Sequence, residues 1–206
     1  MNVLWHSVFG NDRRVEVEIG PGTGTFLLAA AARDPHTNFL GIEHSHTRAA
    51  YLAMAIEERT LHNARVITAD ASCVVATVLP AESVDVYHIY FPDPWWKRRH
   101  HRRRLFTPAF AAALVQTLTV GGRLYVATDV DDVFTLALKT LSPCAGLIRE
   151  SDRPPPRPGV TVFERKGIVR GAAIREAAFI KRSATTDAAP THTNNAAPIT
   201  PAESPS

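Results

Sequence analysis

The chain has 206 residues, 45% of them hydrophobic, which fits one domain with a single sizeable core rather than two catalytic domains. Its formal net charge is +3, yet Lys97 to Arg104 alone hold six lysines and arginines, so the remaining residues sum to −3. A mildly acidic body with one cationic ribbon argues against general adhesion to nucleic acid or lipid and for a polyanion docked at one place.

In chain order, Met1 to Arg14 read as a short lead, of which Met1 to Phe9 lack the zones of a signal peptide. From Val15 to Lys181 short β-branched runs alternate with helix-period segments, the pattern of an open α/β sheet covered by helices on both faces. Val15 to Ile19 is the first strand, followed by a helix over Thr25 to Ala32. A second strand, Asn38 to Glu43, precedes a helix over Thr47 to Arg59. The third strand and helix are Arg65 to Ala69 and Ser72 to Val78. Asp85 to Tyr90 is the fourth strand, and these four are expected to be parallel. A helix over Pro108 to Leu118 leads through the Gly121-Gly122 turn into a fifth strand, Leu124 to Thr128. Asp131 to Leu141 forms the last helix, with Ala145 to Arg149 and Ile174 to Lys181 as a closing antiparallel pair.

Pro154-Pro-Pro-Arg-Pro158 must be an extended loop, because proline supplies no ladder donor and fixes its own φ. From Ser183 to Ser206 the composition shifts to Ala, Thr, Pro, Asn and Ser with no lysine or arginine, a tail expected to be disordered. Cys73 and Cys144 form no C-x-x-C pair and read as core thiols in a reducing compartment. No run reaches the roughly 20 apolar residues of a membrane span, so the expected setting is the cytoplasm.

Three features carry chemistry. The first is Glu18-Ile-Gly-Pro-Gly-Thr-Gly24, where a strand gives way to a helix and the glycines allow a tight turn with close backbone approach to a ligand. The spacing G-x-G-x-G, with a carboxylate ahead of it, suits a nucleoside cofactor bearing an ammonium better than a dinucleotide pyrophosphate. The second is a series of acids at successive strand ends. Glu43 stands where a carboxylate takes both hydroxyls of a ribose, in S-adenosylmethionine as well as NAD, and Asp70 can accept from an adenine amine. Each acid taken alone is also explained as a solvated or helix-capping residue.

The third feature is the segment Phe91-Pro-Asp-Pro-Trp95, running straight out of the fourth strand at the edge where open sheets bind ligands. Two prolines bracket Asp93 and restrict its backbone. Trp95 and Trp96 either stack on a base or cover the core. Lys97-Arg-Arg-His-His-Arg-Arg-Arg104 follows, a phosphate-contact surface or a solvated charge run; His100 and His101 lack partners at metal-ligand spacing, so no metal is expected.

These residues resemble the tRNA (guanine-N7)-methyltransferase family, bacterial single-chain type, over roughly Val15 to Arg182. The likeness rests on Glu18-Ile-Gly-x-Gly-x-Gly24, Phe39-Leu-Gly-Ile-Glu43, Phe91-Pro-Asp-Pro-Trp95 with the basic run, Ala127-Thr-Asp129, and Thr161-Val-Phe-Glu164 ahead of Gly167. It implies a Rossmann-like class I S-adenosylmethionine-dependent methyltransferase fold, seven mostly parallel strands with helices on both faces, over residues 15–182. It also implies that Glu18, Gly20, Gly22, Gly24, Glu43, Asp70 and Asp93 line the S-adenosylmethionine site, with Asp93 as the catalytic residue. Lys97, Asp129, Thr161, Val162, Phe163 and Glu164 would contact the substrate nucleotide, and Arg99, His100, Arg102, Arg103 and Arg104 the RNA backbone. The target implied is the variable-loop guanosine at position 46 of tRNA. The sequence leaves the choice of monomer or homodimer open, and no obligatory protein partner is expected. The chain departs from the family in starting about a dozen residues before the first strand, in Arg102 where lysine is usual, and in Trp96 where a smaller residue is common. The competing readings are a class I methyltransferase acting on an exocyclic amine or a small molecule, and an RNA-binding module that has kept the fold.

Overall fold

A computed structural model describes residues 3–95, 104–150, 154–158, 171 and 173–183. In chain order the elements are α1 (Val3–Phe9), β1 (Val15–Ile19), α2 (Thr25–Arg33), β2 (Asn38–Glu43), α3 (His46–Glu58), β3 (Ala64–Thr68), α4 (Ala71–Thr77), β4 (Val84–Tyr90), α5 (Pro108–Thr117), β5 (Leu118–Thr128), α6 (Asp131–Leu141), β6 (Leu147–Arg149) and β7 (Arg175–Lys181). The strands form one sheet in the order β3-β2-β1-β4-β5-β7-β6. β1 to β5 are parallel, and β7 runs antiparallel to both β5 and β6.

Strand alternation divides the core into two layers. Val15, Val17 and Ile19 of β1, with Tyr87 and Ile89 of β4 and Leu124 and Val126 of β5, face a cluster completed by α1, α4, α5 and α6. The other face carries Phe39, Val86, Tyr90 and Tyr125 against Phe26, Leu27 and Leu28 of α2 and Leu52 and Ile56 of α3. Side-chain caps set where several helices begin. Ser45 accepts from the Arg48 amide, Asp70 from the Cys73 amide, and Thr107 from the Phe110 amide with Pro108 in the first turn.

The structure differs from the sequence reading in three places. Residues 3–9, read as part of a lead, form a helix whose Trp5 and Phe9 are buried; the Trp5 indole donates to the Ser83 carbonyl at 2.7 Å. Gly10, with φ of 73° and its amide bonded to the His6 carbonyl, closes that helix. The Gly121-Gly122 pair is not a turn ahead of β5 but an irregularity within it, because pairing begins at Val84 with Leu118, shifts, and resumes at Val86 with Arg123. A Cβ on Gly122 would lie 2.8 Å from the Thr119 carbonyl and 3.0 Å from that of Asp85, so the bulge closes only on glycine. Cys73, expected in the core, is exposed on α4, and Cys144 is partly buried. Apart from Ser183, the expected tail lies outside the described residues.

Candidate active site

The C-terminal ends of β1, β2, β3, β4 and β5 bring the predicted acids to one edge of the sheet. The Gly20 amide donates to the Ile42 carbonyl at 2.9 Å, and the Ala69 amide to the Glu43 carbonyl at 3.0 Å, lacing the first three strand ends together. Across the sheet the Phe91 amide donates to the Ala127 carbonyl at 2.7 Å, which sets the start of the Asp93 loop beside the end of β5 and Asp129.

At the glycine turn, Gly20 and Gly22 adopt φ of 70° and 59°, and a Cβ on either would meet no described atom within 4 Å. Both therefore leave an open surface of backbone beside Glu18. Gly24 has a different reason to be glycine: it caps α2 with φ of 82°, and a Cβ there would stand 2.2 Å from Leu52 of α3. Its structural role is close helix packing.

Glu43 is buried and holds this turn in shape. One of its carboxylate oxygens accepts from the Gly22 amide at 2.9 Å and the other from the Ser45 amide at 2.8 Å. Each oxygen keeps a second lone pair, so the group can still accept from hydroxyls of a ligand. Asp70 is exposed and caps α4 through the Cys73 amide at 3.0 Å, so the capping explanation of this acid holds whatever else it binds.

Glu18 is the anomalous member. Only 4% of it is exposed, and its Oε2 has no hydrogen-bond partner among the described residues. Burial pushes its carboxyl up to about 8, the Leu27 amide opposes that shift, and the nearby Glu43 carboxylate adds to it. A buried carboxyl with one orphaned oxygen beside an open glycine turn fits a ligand that brings a positive donor, such as the ammonium of S-adenosylmethionine.

Asp93 is exposed between Pro92 and Pro94. The residues on either side of this Pro-Asp-Pro unit, Phe91 and Trp95, have φ of 50° and 43°, left-handed conformations that a bulky side chain rarely adopts. The loop is held in a strained shape by its surroundings, as is common at functional sites. Beside it a cavity of about 290 Å³ is lined by Pro94, Arg104 and, from α6, Asp132, Val133, Thr135, Leu136 and Lys139. Arg104, the last residue of the basic run, thus lines the same cavity as Pro94 of the Asp93 loop. Lys97, Arg99, His100, Arg102 and Arg103, together with Thr161, Val162, Phe163 and Glu164, lie outside the described residues.

A group that sequence reasoning missed lies behind the loop, on the α2 side of the sheet. His88 of β4 is buried and bonds through Nδ1 to the Tyr90 hydroxyl at 2.8 Å and through Nε2 to Glu16 at 2.8 Å, while Arg14 donates to the other oxygen of Glu16 at 3.0 Å. Burial raises the Tyr90 phenol well above the usual tyrosine range. The alternation of β4 places His88 and Tyr90 on one face, and that was the available signal; Glu16, the partner from β1, is far away in sequence.

The family model of a putative methyltransferase matches residues 12–177. The tRNA (guanine-N(7)-)-methyltransferase of Paraburkholderia xenovorans (strain LB400) is 38% identical over 183 residues, covering 87% of this chain and 70% of the relative. That of Nitrosomonas eutropha is 39% identical over 178 residues, covering 85% of this chain and 80% of the relative. Among solved structures, the aminoglycoside resistance methyltransferase NpmB1 superposes with a TM-score of 0.58 at 19% identity, over 86% of this chain and 91% of that one. TrmN from Thermus thermophilus gives 0.59 at 18% identity, over 86% and 47%. Those likenesses identify the fold as the class I methyltransferase fold, and the sequence relatives are more specific: the chain belongs to the tRNA (guanine-N7)-methyltransferase family.

Proposed function

We propose that this protein transfers the methyl group of S-adenosylmethionine to N7 of a guanine in tRNA, at the variable-loop guanosine of position 46. The observation that carries the reading is the buried Glu18 carboxyl, whose Oε2 has no hydrogen-bond partner among the described residues, beside the open Gly20–Gly22 backbone, in a chain 38% identical to tRNA (guanine-N(7)-)-methyltransferases. Gly20, Gly22, Gly24, Glu43, Asp70 and Asp93 complete the proposed cofactor site, Glu43 toward the ribose and Asp70 toward the adenine.

When bound, S-adenosylmethionine supplies a methyl group on a sulfonium centre, open to attack by a lone pair. Guanine N7 carries such a lone pair and no proton, so no side chain has to act as a general base. Glu18 gives up its proton as the ligand ammonium docks and forms the ion pair that its burial otherwise disfavours. Asp93 positions the guanine through the donors of its Watson-Crick edge and stabilises the positive purine that N7 methylation creates. Asp129, Lys97 and Thr161 to Glu164 hold the same nucleotide, and Arg99, His100, Arg102, Arg103 and Arg104 hold the phosphates on either side. N7 lies in the deep groove of A-form RNA, so the base has to be freed before it reacts.

The proposed setting is the cytoplasm, with the protein acting as a monomer or homodimer and needing no protein partner. No helix among the described residues is long and apolar enough to cross a membrane. The test is transfer of labelled methyl from S-adenosylmethionine to unmodified tRNA, run beside small-molecule amine acceptors. Label in tRNA alone is expected; label only in a small-molecule acceptor, or none at all, overturns the proposal.

A further inference from the structure

Arg157 comes from the proline-rich segment Pro154–Pro158, yet only 8% of its side chain is exposed. Its guanidinium pairs with the Glu176 carboxylate of β7. The same group lies over two rings at the end of β4, its central carbon 5.1 Å from the Tyr90 centroid and 5.9 Å from that of Phe91. The Tyr90 ring is already fixed on its other sides: its hydroxyl bonds to His88, and Phe26 meets it edge-on with centroids 5.0 Å apart. Phe91 is the left-handed residue that turns the chain out of β4 into Pro92, Asp93 and Pro94. A planar cation can satisfy a carboxylate and cover two rings at once, which an ammonium cannot.

We propose that Arg157 is a positioning residue for methyl transfer: held by Glu176, it clamps Tyr90 and Phe91 and so fixes the turn that presents Asp93. The inference rests on the reading of Asp93 as the residue that orients the guanine. It also gives the proline-rich segment a task, because Arg157 ties the segment to β7 and to the end of β4.

The test uses the full chain with Arg157→Ala and Arg157→Lys. In single turnovers at saturating S-adenosylmethionine and tRNA, Arg157→Ala is expected to slow methyl transfer by about tenfold or more, as misplacement of a reacting group does. Affinity for S-adenosylmethionine, held mainly at the ends of β1 to β3 with Asp93 as one contact, should fall far less than the rate. Arg157→Lys should stay impaired, and added guanidinium ion should partly restore the alanine variant. By hydrogen exchange, the amides of Phe91, Asp93 and Trp95 should exchange faster in Arg157→Ala while those of Gly20, Gly22, Thr23 and Gly24 do not. A native rate in Arg157→Ala, full recovery in Arg157→Lys, or exchange that rises equally in both segments would overturn the positioning role, the last because it marks a general loosening. If the wild-type chain methylates no tRNA, the proposed function fails, and the exchange comparison still decides whether Arg157 clamps the loop.

Discussion

At the scale of the single residue, Glu18 combines a charge-bearing group with a site that disfavours the charge. Folding moves its carboxyl from an ordinary value of 4.5 up to about 8, mainly through burial. Its contribution to stability is therefore fully present below about 4.5 and is lost as pH rises toward 8. Glu18→Gln should accordingly raise Tm at pH 8, by at least about 2 °C, and bring no gain at pH 4. The same substitution should weaken S-adenosylmethionine binding at least about tenfold, the size of one charge-assisted hydrogen bond. Calorimetry at pH 6.5 in buffers of different ionisation enthalpy should show proton release on binding in the wild type and none in Glu18→Gln. A variant that binds normally and is no more stable would remove Glu18 from the site. Asp93 is expected to behave differently: Asp93→Ala should lower methyl transfer by about 100-fold or more in single turnovers, and near-native turnover would show that the aspartate neither orients nor stabilises the base.

At the scale of the element, most strands were legible because β-branched runs bounded by turn residues recur between helix-period segments; β1 and β2 match the expected limits residue for residue. Where the reading stopped short, the reason is physical. α1 is seven residues long, too short to show a period, and only the four-residue spacing of Trp5 and Phe9 ahead of Gly10 marked it. β5 runs through two glycines that read as a turn, because a bulge and a turn use the same residue type. The acids at the strand ends could be read from sequence, whereas the Arg157–Glu176 pair joins a loop to a late strand and leaves no local pattern. The burial of Trp5 makes α1 part of the fold rather than a dangling lead. Trp5→Ala should cost about 3 kcal/mol in denaturant unfolding, and a loss below about 1 kcal/mol would show that the helix does not matter to the core.

At the scale of the whole molecule, charge and topology point the same way. The parallel strands present their C-terminal ends to one edge, that edge carries Glu18, Glu43 and Asp70, and in sequence the basic run follows the loop after β4. Neutralising Arg102, Arg103 and Arg104 together should weaken tRNA binding and lower the slope of log affinity against log salt by about 2, read by filter binding across a salt series; an unchanged slope would remove those residues from the phosphate contact. Methylated-base mapping tests the central claim most directly. After unmodified tRNA is incubated with the protein and S-adenosylmethionine, N7-methylguanosine is predicted at position 46 of the variable loop and should be lost with Asp93→Ala. A methyl group on an exocyclic amine, at another position, or nowhere in the tRNA would contradict the account.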